Sequence, residues 1–185
     1  VVVPEGLLFG STGGHVELRR KLIEDFEVLA VISLPSGVFK PYAGVKTSVL
    51  VFRRPGESRE RPPIAERKIW FYEVDNDGYD PDKVASGGRI ETPEKNRIPE
   101  LIARWGEYKA GGFTAPPGPG HLELLEADAE DTRCWWAGAE IVLENEANLS
   151  AGRYKPQRKN EVSNDDPLEL TEQVMVYNNA ELENL

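Results

Sequence analysis

The chain has 185 residues, enough for one domain or one and a half, and 39% of them are hydrophobic, which suffices for a core. Its formal net charge of −10 comes from 22 basic and 32 acidic residues, whereas a free-standing DNA-binding domain usually has a basic balance or a basic face. The single cysteine, Cys134, excludes an internal disulfide and fits a reducing cytoplasm. The sequence shows no apolar run of membrane-spanning length and no signal peptide, so we expect no membrane association.

The first 34 residues have the pattern of a strand, a helix and a second strand. Residues 1–9 predict a strand that ends in a turn at residues 10–14, and residues 15–26 predict a helix. Arg19 and its two basic neighbours lie off the apolar stripe of this helix. The stripe consists of Leu18, Leu22, Ile23 and Phe26. With the strand at residues 28–34, this order predicts a crossover unit of a parallel sheet.

The turn FGSTGGH allows two interpretations. Glycines between a strand and a helix N-terminus can hold a phosphate on main-chain N–H groups, which would suit a nucleotide-binding protein. The spacing lacks both phosphate-loop fingerprints, so a turn in which glycine supplies positive φ is favoured. His15 is then interpreted as a surface or capping residue.

A long loop separates two strongly apolar segments. Residues 28–34 and 48–52 predict strands buried on both faces, and the second should return antiparallel beside the first. The connection, residues 35–47, is too long for a tight hairpin, and such loops in compact domains are usually functional or disordered. It holds two aromatic rings that it can present, Phe39 and Tyr42.

The next segment combines a proline-rich connection with a third strand. Residues 53–68 are predicted to form an exposed linker with a local positive bias, for which solvation is favoured over contact with DNA phosphates. Residues 69–74, IWFYEV, predict a strand whose aromatic side chains pack a sheet edge. The following DNDGYD predicts a turn, because Asn and Asp form turns readily and the calcium-loop pattern fails at its last position.

The remaining chain contains two short packed elements and a polar tail. A helix is expected after Pro99, with Leu101, Ile102 and Trp105 on its apolar side. The stretch GGFTAPPGPG is expected to be flexible or extended. Cys134 begins a small packed unit in which residues 140–143 form a strand or short helix, and its thiol is interpreted as a buried structural group rather than a metal ligand.

Several of these blocks resemble a known family. LPSGVF followed by YAGVKTSVLVF resembles the last conserved block of the amino-group DNA methyltransferases, and more narrowly the modification subunit of type I restriction–modification systems, an adenine-N6 DNA methylase. VVVPEGLLFG, KIWFYEVDNDGYDPDK and NLSAGRY are similar to further blocks in the same order. The resemblance covers residues 1–156.

The resemblance implies an α/β fold, the C-terminal portion of a Rossmann-like S-adenosylmethionine-dependent methyltransferase with an antiparallel closing strand and an α+β extension. It divides the chain into residues 1–60, which complete the methyltransferase sheet, and residues 61–156, a family-specific extension. Residues 157–185 would be a polar linker followed, from Asp166, either by a helix that another subunit orders or by a frayed end.

The resemblance also implies a fragment. The family's glycine-rich S-adenosylmethionine loop and its Asn/Asp-Pro-Pro-aromatic catalytic tetrapeptide are not found in these 185 residues. We therefore expect no catalytic, cofactor-binding or metal-binding residues here and no activity from this piece alone. The intact subunit would use S-adenosylmethionine and DNA, together with a specificity subunit and a restriction subunit.

By resemblance, Phe39 is the aromatic residue that stacks on the flipped target base. Pro35, Ser36 and Gly37 would shape the base-pocket loop, while Lys40 and Lys46 could reach DNA phosphates. The alternative for Phe39 is a residue that caps the core.

Two other functions stay open at this point. The acidic charge and proline-rich connections would also fit a non-enzymatic subunit-docking module. An unrelated nucleotide-binding α/β domain would instead use the glycines at residues 10–14.

Overall fold

The structure is a computed structural model that describes residues 1–54, 62–85, 88–123 and 132–157. Within these ranges, five strands form one sheet and two form a separate hairpin. The strands are β1 (Val2–Pro4), β2 (Glu27–Ser33), β3 (Thr47–Arg53), β4 (Lys68–Glu73), β5 (Tyr79–Ala85), β6 (Gly88–Glu91) and β7 (Cys134–Gly138). The α-helices are α1 (Glu5–Phe9), α2 (Gly13–Asp25), α3 (Ile98–Ala110) and α4 (Ala139–Glu144).

The five-stranded sheet has the order β1-β3-β2-β4-β7. The predicted antiparallel return of β3 beside β2 is confirmed, with Val28 opposite Phe52 and Ser33 opposite Ser48. β1 is also antiparallel to β3, so β1 and β2 run in the same direction, as a crossover unit requires, but β3 lies between them. β4 is parallel to β2 and antiparallel to β7. The α/β class predicted from the sequence is confirmed.

The predicted strand over residues 1–9 is wrong after Pro4. Proline has no N–H for further pairing with β3, and the chain turns into α1, whose first amide, Glu5 N, donates to the Lys46 carbonyl at 3.0 Å. The helix places Leu8 in the core at 1% exposure and leaves Phe9 53% exposed.

The predicted apolar stripe of α2 is wrong at two positions. Leu18 is 45% exposed, and Arg19, predicted to lie off the stripe, is 1% exposed. Its guanidinium donates four hydrogen bonds to main-chain carbonyls, which satisfy the buried charge. The acceptors are Leu7 (2.9 Å), Gly10 (2.9 Å), Glu146 (3.2 Å) and Ala147 (2.9 Å). Burial lowers the pKa of Arg19, and its bonds tie α1 and α2 to the segment after α4.

β4 is an interior strand, so the prediction that its aromatic side chains pack a sheet edge is wrong. Ile69 and Phe71 point to one face and belong to a first core cluster with Leu8, Ile23, Trp135 and Leu149. Trp70 and Tyr72 point to the other face and form a second cluster with Leu101 and Tyr108 of α3. A strand covered on both faces needs apolar residues at every position, which explains the uninterrupted IWFY run.

The GGFTAPPGPG stretch, expected to be flexible or extended, packs against β4 and α3. The Trp70 indole donates to the Pro117 carbonyl at 3.0 Å, and the rings of Trp105 and Phe113 lie 5.4 Å apart. Gly118 has φ +94°, and a Cβ there would lie 2.3 Å from the Cys134 carbonyl oxygen. Only glycine permits this approach. The predicted helix after Pro99 is confirmed as α3, although Ile102 is 64% exposed.

The linker predicted to be exposed over residues 53–68 ends in a buried arginine. Arg67 is 7% exposed and donates to the carbonyls of Pro62 (2.7 Å) and Ile23 (2.9 Å). Residues 55–61 lie outside the described ranges.

Cys134 begins β7, a strand of the main sheet rather than a separate unit, and residues 139–144 form α4. The side chain of Cys134 is partly buried, and burial raises the pKa of its thiol. The sheet therefore continues past residue 60 through β4 and β7, while the proposed division at that residue stays a prediction. The tail from residue 158, including the predicted terminal helix, lies outside the described residues. Within the described ranges, none of the helices combines the length and apolar character needed to cross a bilayer.

Candidate functional site

The loop of residues 34–46 leaves the carboxyl end of β2 and returns to the start of β3. Its base is closed by the Leu34 amide, which donates to the Thr47 carbonyl at 3.0 Å. Gly37 is buried with φ +80°, and a Cβ there would lie 2.9 Å from Cε of Lys40. Glycine thus permits both the turn and the passage of the lysine side chain. Pro35 is half-buried and Ser36 is exposed.

Successive turns fix the main chain around Phe39. Its carbonyl accepts hydrogen bonds from the amides of Tyr42 (2.8 Å) and Ala43 (2.9 Å), and the Lys40 amide donates to Gly37 O at 2.9 Å. The Phe39 ring is 41% exposed and belongs to neither core cluster of the described residues. Tyr42 is 94% exposed and Val45 is 62% exposed. The loop thus combines a hydrogen-bonded main chain with exposed apolar side chains, and functional residues often lie on loops that a rigid scaffold positions.

Both lysines predicted to reach phosphates have partners inside the protein. Lys40 Nζ donates to the Pro81 carbonyl at 2.6 Å, and Lys46 Nζ lies 3.1 Å from Oε1 of Glu5. These bonds would have to be exchanged or shared for either amine to bind a phosphate. Their predicted role stays a prediction.

The β5–β6 hairpin supplies a residue that the sequence analysis missed. Arg89 makes two hydrogen bonds to the Asp77 carboxylate, one of them 2.7 Å from Nη2 to Oδ1, and its Nη1 donates to the Val38 carbonyl at 3.3 Å. Its guanidinium carbon lies 4.7 Å from the centroid of the Tyr79 ring. The hydrogen bond to Asp77 raises the pKa of Arg89. No local pattern marks this residue, because Val38 is 51 positions away.

The predicted turn at DNDGYD is confirmed. The side-chain oxygen of Asn76 accepts a hydrogen bond from the Gly78 amide at 2.8 Å, and Gly78 has φ +88°. In the described part of the chain, no group of three or more His, Cys, Asp and Glu side chains could hold a metal ion.

The glycine turn before α2 is filled by the protein itself. A Cβ on Gly10 would lie 2.4 Å from Nδ1 of His15, which is half-buried. The amides of Gly10, His15 and Val16 donate to carbonyls at 2.9–3.1 Å. These contacts favour the turn over the phosphate cradle, but the expectation that glycine supplies positive φ there is wrong: Gly10 has φ −54°, and Gly13 and Gly14 already belong to α2.

A polar cleft of about 580 Å³ lies between α3 and the start of β7. Its arginines face carboxylates: Arg133 Nη1 lies 3.3 Å from Glu100, and Arg97 Nε lies 4.0 Å from Asp75. Arg104, which also lines the cleft, lies 3.9 Å from Glu107, so these ion pairs favour a packing contact between α3 and β7 over an anion site.

The comparisons with known proteins decide the family. Residues 1–163 match the N-6 DNA Methylase family. The chain belongs to that family. The methylase subunit of the type I restriction enzyme EcoEI from Escherichia coli is 27% identical over 173 residues, which are 94% of this chain and 29% of that protein. The predicted resemblance to type I modification subunits is confirmed.

Solved structures agree with this family assignment. A structure that describes complex assembly and conformational transition of a type I restriction–modification system is 28% identical, with a TM-score of 0.54 over 98% of this chain and 33% of that one. The methyltransferase subunit of the Streptococcus thermophilus type I system shares the fold, with a TM-score of 0.50 and 19% identity over 82% of this chain and 25% of that one. The chain thus spans about a third or less of each of these relatives.

Proposed function

We propose that this chain is the carboxyl-terminal part of the methylase subunit of a type I restriction–modification system. Within an adenine-N6 DNA methyltransferase it supplies the target-base side of the active site. The observation that carries the proposal is the loop of residues 34–46, which holds Phe39 on a hydrogen-bonded main chain yet leaves its ring 41% exposed. The family match and the similarity to the EcoEI methylase subunit support it.

The sheet supports a Rossmann-like origin. β1 and β2 run in the same direction, and β3 lies antiparallel between them. β1 is an edge strand of the five-stranded sheet in the described residues, which leaves its outer edge for a further strand of the intact subunit. In this proposal the chain is the closing portion of that sheet, and the intact subunit assembles with a specificity subunit and a restriction subunit.

S-adenosylmethionine, bound by other parts of the intact subunit, supplies the methyl group. This chain acts on the base instead. The exocyclic amine of adenine is inaccessible in a stacked duplex, so the adenine must leave the stack. Stacking of a base on an aromatic ring contributes roughly 1–3 kcal/mol, which offsets part of the cost of extrusion. The Phe39 ring is the group that provides this face, and Gly37 and Pro35 set the path of its loop. Without the cofactor loop and the tetrapeptide, this chain alone is inactive.

The test is Phe39→Ala in the intact methylase subunit assembled with its specificity subunit. We expect methyl transfer to specific DNA to fall by about 5- to 150-fold, the loss of one stacking contact, with little change in the free energy of unfolding. Phe39→Trp keeps an aromatic face and should largely preserve activity.

Phe9→Ala is the matched control, because Phe9 is a similarly exposed phenylalanine outside the loop, at 53% against 41%. It should leave methyl transfer unchanged. If Phe39→Ala unfolds the protein and the surviving folded fraction is fully active, Phe39 is a core residue and the proposal is wrong.

A further inference from the structure

The β5–β6 hairpin contacts the loop on both sides of Phe39. Arg89 of β6 donates to the carbonyl of Val38, the residue before Phe39, at 3.3 Å. Lys40, the residue after Phe39, donates through Nζ to the carbonyl of Pro81 in β5 at 2.6 Å. The hairpin therefore restrains the main chain of the loop at the two positions that flank the exposed ring.

The Arg89 side chain is itself held firmly. Its ion pair with Asp77 is nearly buried, with the two side chains 9% and 11% exposed. Two parallel hydrogen bonds between a guanidinium and a carboxylate fix the plane of the guanidinium, and the Tyr79 ring lies against it. One planar guanidinium can donate to both carboxylate oxygens and still donate to a third acceptor, the Val38 carbonyl. A lysine ammonium cannot do this in the same geometry.

Asp77 stands on a turn that is anchored to the main sheet. The turn follows β4, and the Val74 amide donates to the Ser33 carbonyl at 2.9 Å, at the end of β2 where the loop begins. Two more bonds close the base of the hairpin: Thr92 N to Gly78 O at 2.7 Å and Arg97 N to Asn76 O at 3.0 Å. The chain of contacts thus runs from the sheet through Asp77 and Arg89 to Val38.

We infer that Arg89 is a positioning residue for the target-base loop and that the β5–β6 hairpin is the brace that holds Phe39 where an extruded base meets it. The inference rests on the proposed function of that loop. Arg89 acts through the Val38 carbonyl and does not touch the DNA base. Without the brace, the Phe39 ring can still stack on a base, but its position is no longer fixed. The free-energy cost of extruding the base therefore rises.

A second arginine pair provides the matched control. Arg53 of β3 binds Glu27 of β2 through two hydrogen bonds of 2.5 Å, with side chains 25% and 12% exposed. It lies at the end of the β2–β3 pair opposite to the loop, because Glu27 and Arg53 are partners at the start of β2 and the end of β3. It therefore resembles the Arg89 pair in chemistry but makes no contact with the loop in the described residues.

The experiment compares Arg89→Lys with Arg53→Lys in the intact subunit bound to its specificity subunit. Arg89→Lys keeps the charge and so preserves folding better than truncation. Small misplacements at an active site are costly, so kcat for methyl transfer should fall by about 10- to 100-fold. The dissociation constant for DNA with an abasic target should stay within about twofold, since the rest of the complex reads the sequence. Arg53→Lys should leave kcat per folded molecule unchanged.

Two further readouts separate positioning from a general structural role. Hydrogen exchange of the Tyr42 and Ala43 amides, which bond to Phe39 O, should accelerate in Arg89→Lys and not in Arg53→Lys. A mismatch at the target adenine lowers the cost of extrusion, so it should restore most of the lost kcat to Arg89→Lys. A purely structural defect would not respond to the mismatch.

Failure of the inference is distinct from failure of the proposed function. If Phe39→Ala lowers methyl transfer while Arg89→Lys leaves kcat and loop exchange at wild-type values, the hairpin is not a brace and the function of the loop stands. A loss of kcat that the mismatch does not restore also overturns the inference. If Phe39→Ala itself has no effect, both are overturned.

Discussion

The two ends of the β2–β3 strand pair use the same ion-pair chemistry in different surroundings. At the closed end, where β2 starts and β3 ends, Arg53 binds Glu27 within the register of the sheet. The rings of Phe26 and Phe52 meet edge to face there, with centroids 5.5 Å apart. At the loop end, Arg89 binds Asp77 on a separate hairpin and reaches across to the loop.

The difference lies in what the aromatic rings do. At the closed end the half-buried rings of Phe26 and Phe52 pack against one another, so these side chains serve stability. At the loop end, hydrogen bonds hold the main chain, while Phe39 and Tyr42 remain 41% and 94% exposed. Surface loops placed by a rigid scaffold carry function more often than the elements they connect. The comparison therefore predicts that changes at the closed end affect stability, and changes at the loop end affect activity.

Alkaline pH should have the largest effect, because it acts on three buried phenols in the packed faces of the sheet. Burial raises the pKa of Tyr72, Tyr108 and Tyr154 to about 12, from 10.0. Above pH 10 these phenols ionise in the unfolded chain while they stay protonated in the folded one. Their contribution to the free energy of unfolding is therefore complete below pH 10 and is lost as the pH rises towards 12.

Urea unfolding measured from pH 9 to pH 12 tests this expectation, with phenolate absorbance as the second signal. Tyr108→Phe is the control, since it removes one buried phenol near the closed end and should make the loss with pH shallower. Ionisation of all three phenols near pH 10 without unfolding would show that they are not buried as described.

Glu27→Ala should have the next largest effect, because it breaks the ion pair at the closed end and leaves Arg53 without its carboxylate. Removal of one partner from a buried pair typically costs about 3 kcal/mol or more. We expect the free energy of unfolding, measured with urea, to fall by about that amount. The loss is smaller to the extent that water reaches Arg53, which is 25% exposed.

Tyr42→Ala is the contrasting change at the loop end. Its side chain is almost fully exposed, so the free energy of unfolding should change by no more than about 0.5 kcal/mol. Equal destabilisation by Glu27→Ala and Tyr42→Ala would remove the distinction between the two ends.

The sequence was sufficient where local pattern decides the structure. The apolar runs at residues 28–34, 48–52 and 69–74 correspond to β2, β3 and β4, because strands buried on both faces leave that pattern. The helical period of residues 15–26 located α2, and Asn76 and Gly78 marked the turn after β4. The position of the Phe39 loop followed from the two strands that flank it.

The errors occurred where distant main chain decides the structure. Arg19 is buried because carbonyls at residues 146 and 147 accept its hydrogen bonds, and no period in α2 reveals them. The insertion of β3 between β1 and β2 is likewise a matter of long-range pairing. Arg89 was missed for the same reason: its acceptor, the Val38 carbonyl, lies on another element. Periodicity identifies apolar faces, but it does not show which polar side chain will find a main-chain acceptor on a distant segment.

The central claim is that Phe39 contacts the extruded target base, and a thermodynamic cycle measures that contact directly. The dissociation constants of the intact enzyme and of its Phe39→Ala variant are determined for specific DNA with adenine at the target position and for the same DNA with an abasic target. The account predicts that Phe39→Ala weakens binding of the adenine-containing DNA by roughly 5- to 150-fold more than binding of the abasic DNA, the equivalent of one base–aromatic stack. Equal weakening of both DNAs would contradict the account, because Phe39 would then contribute nothing that depends on the base.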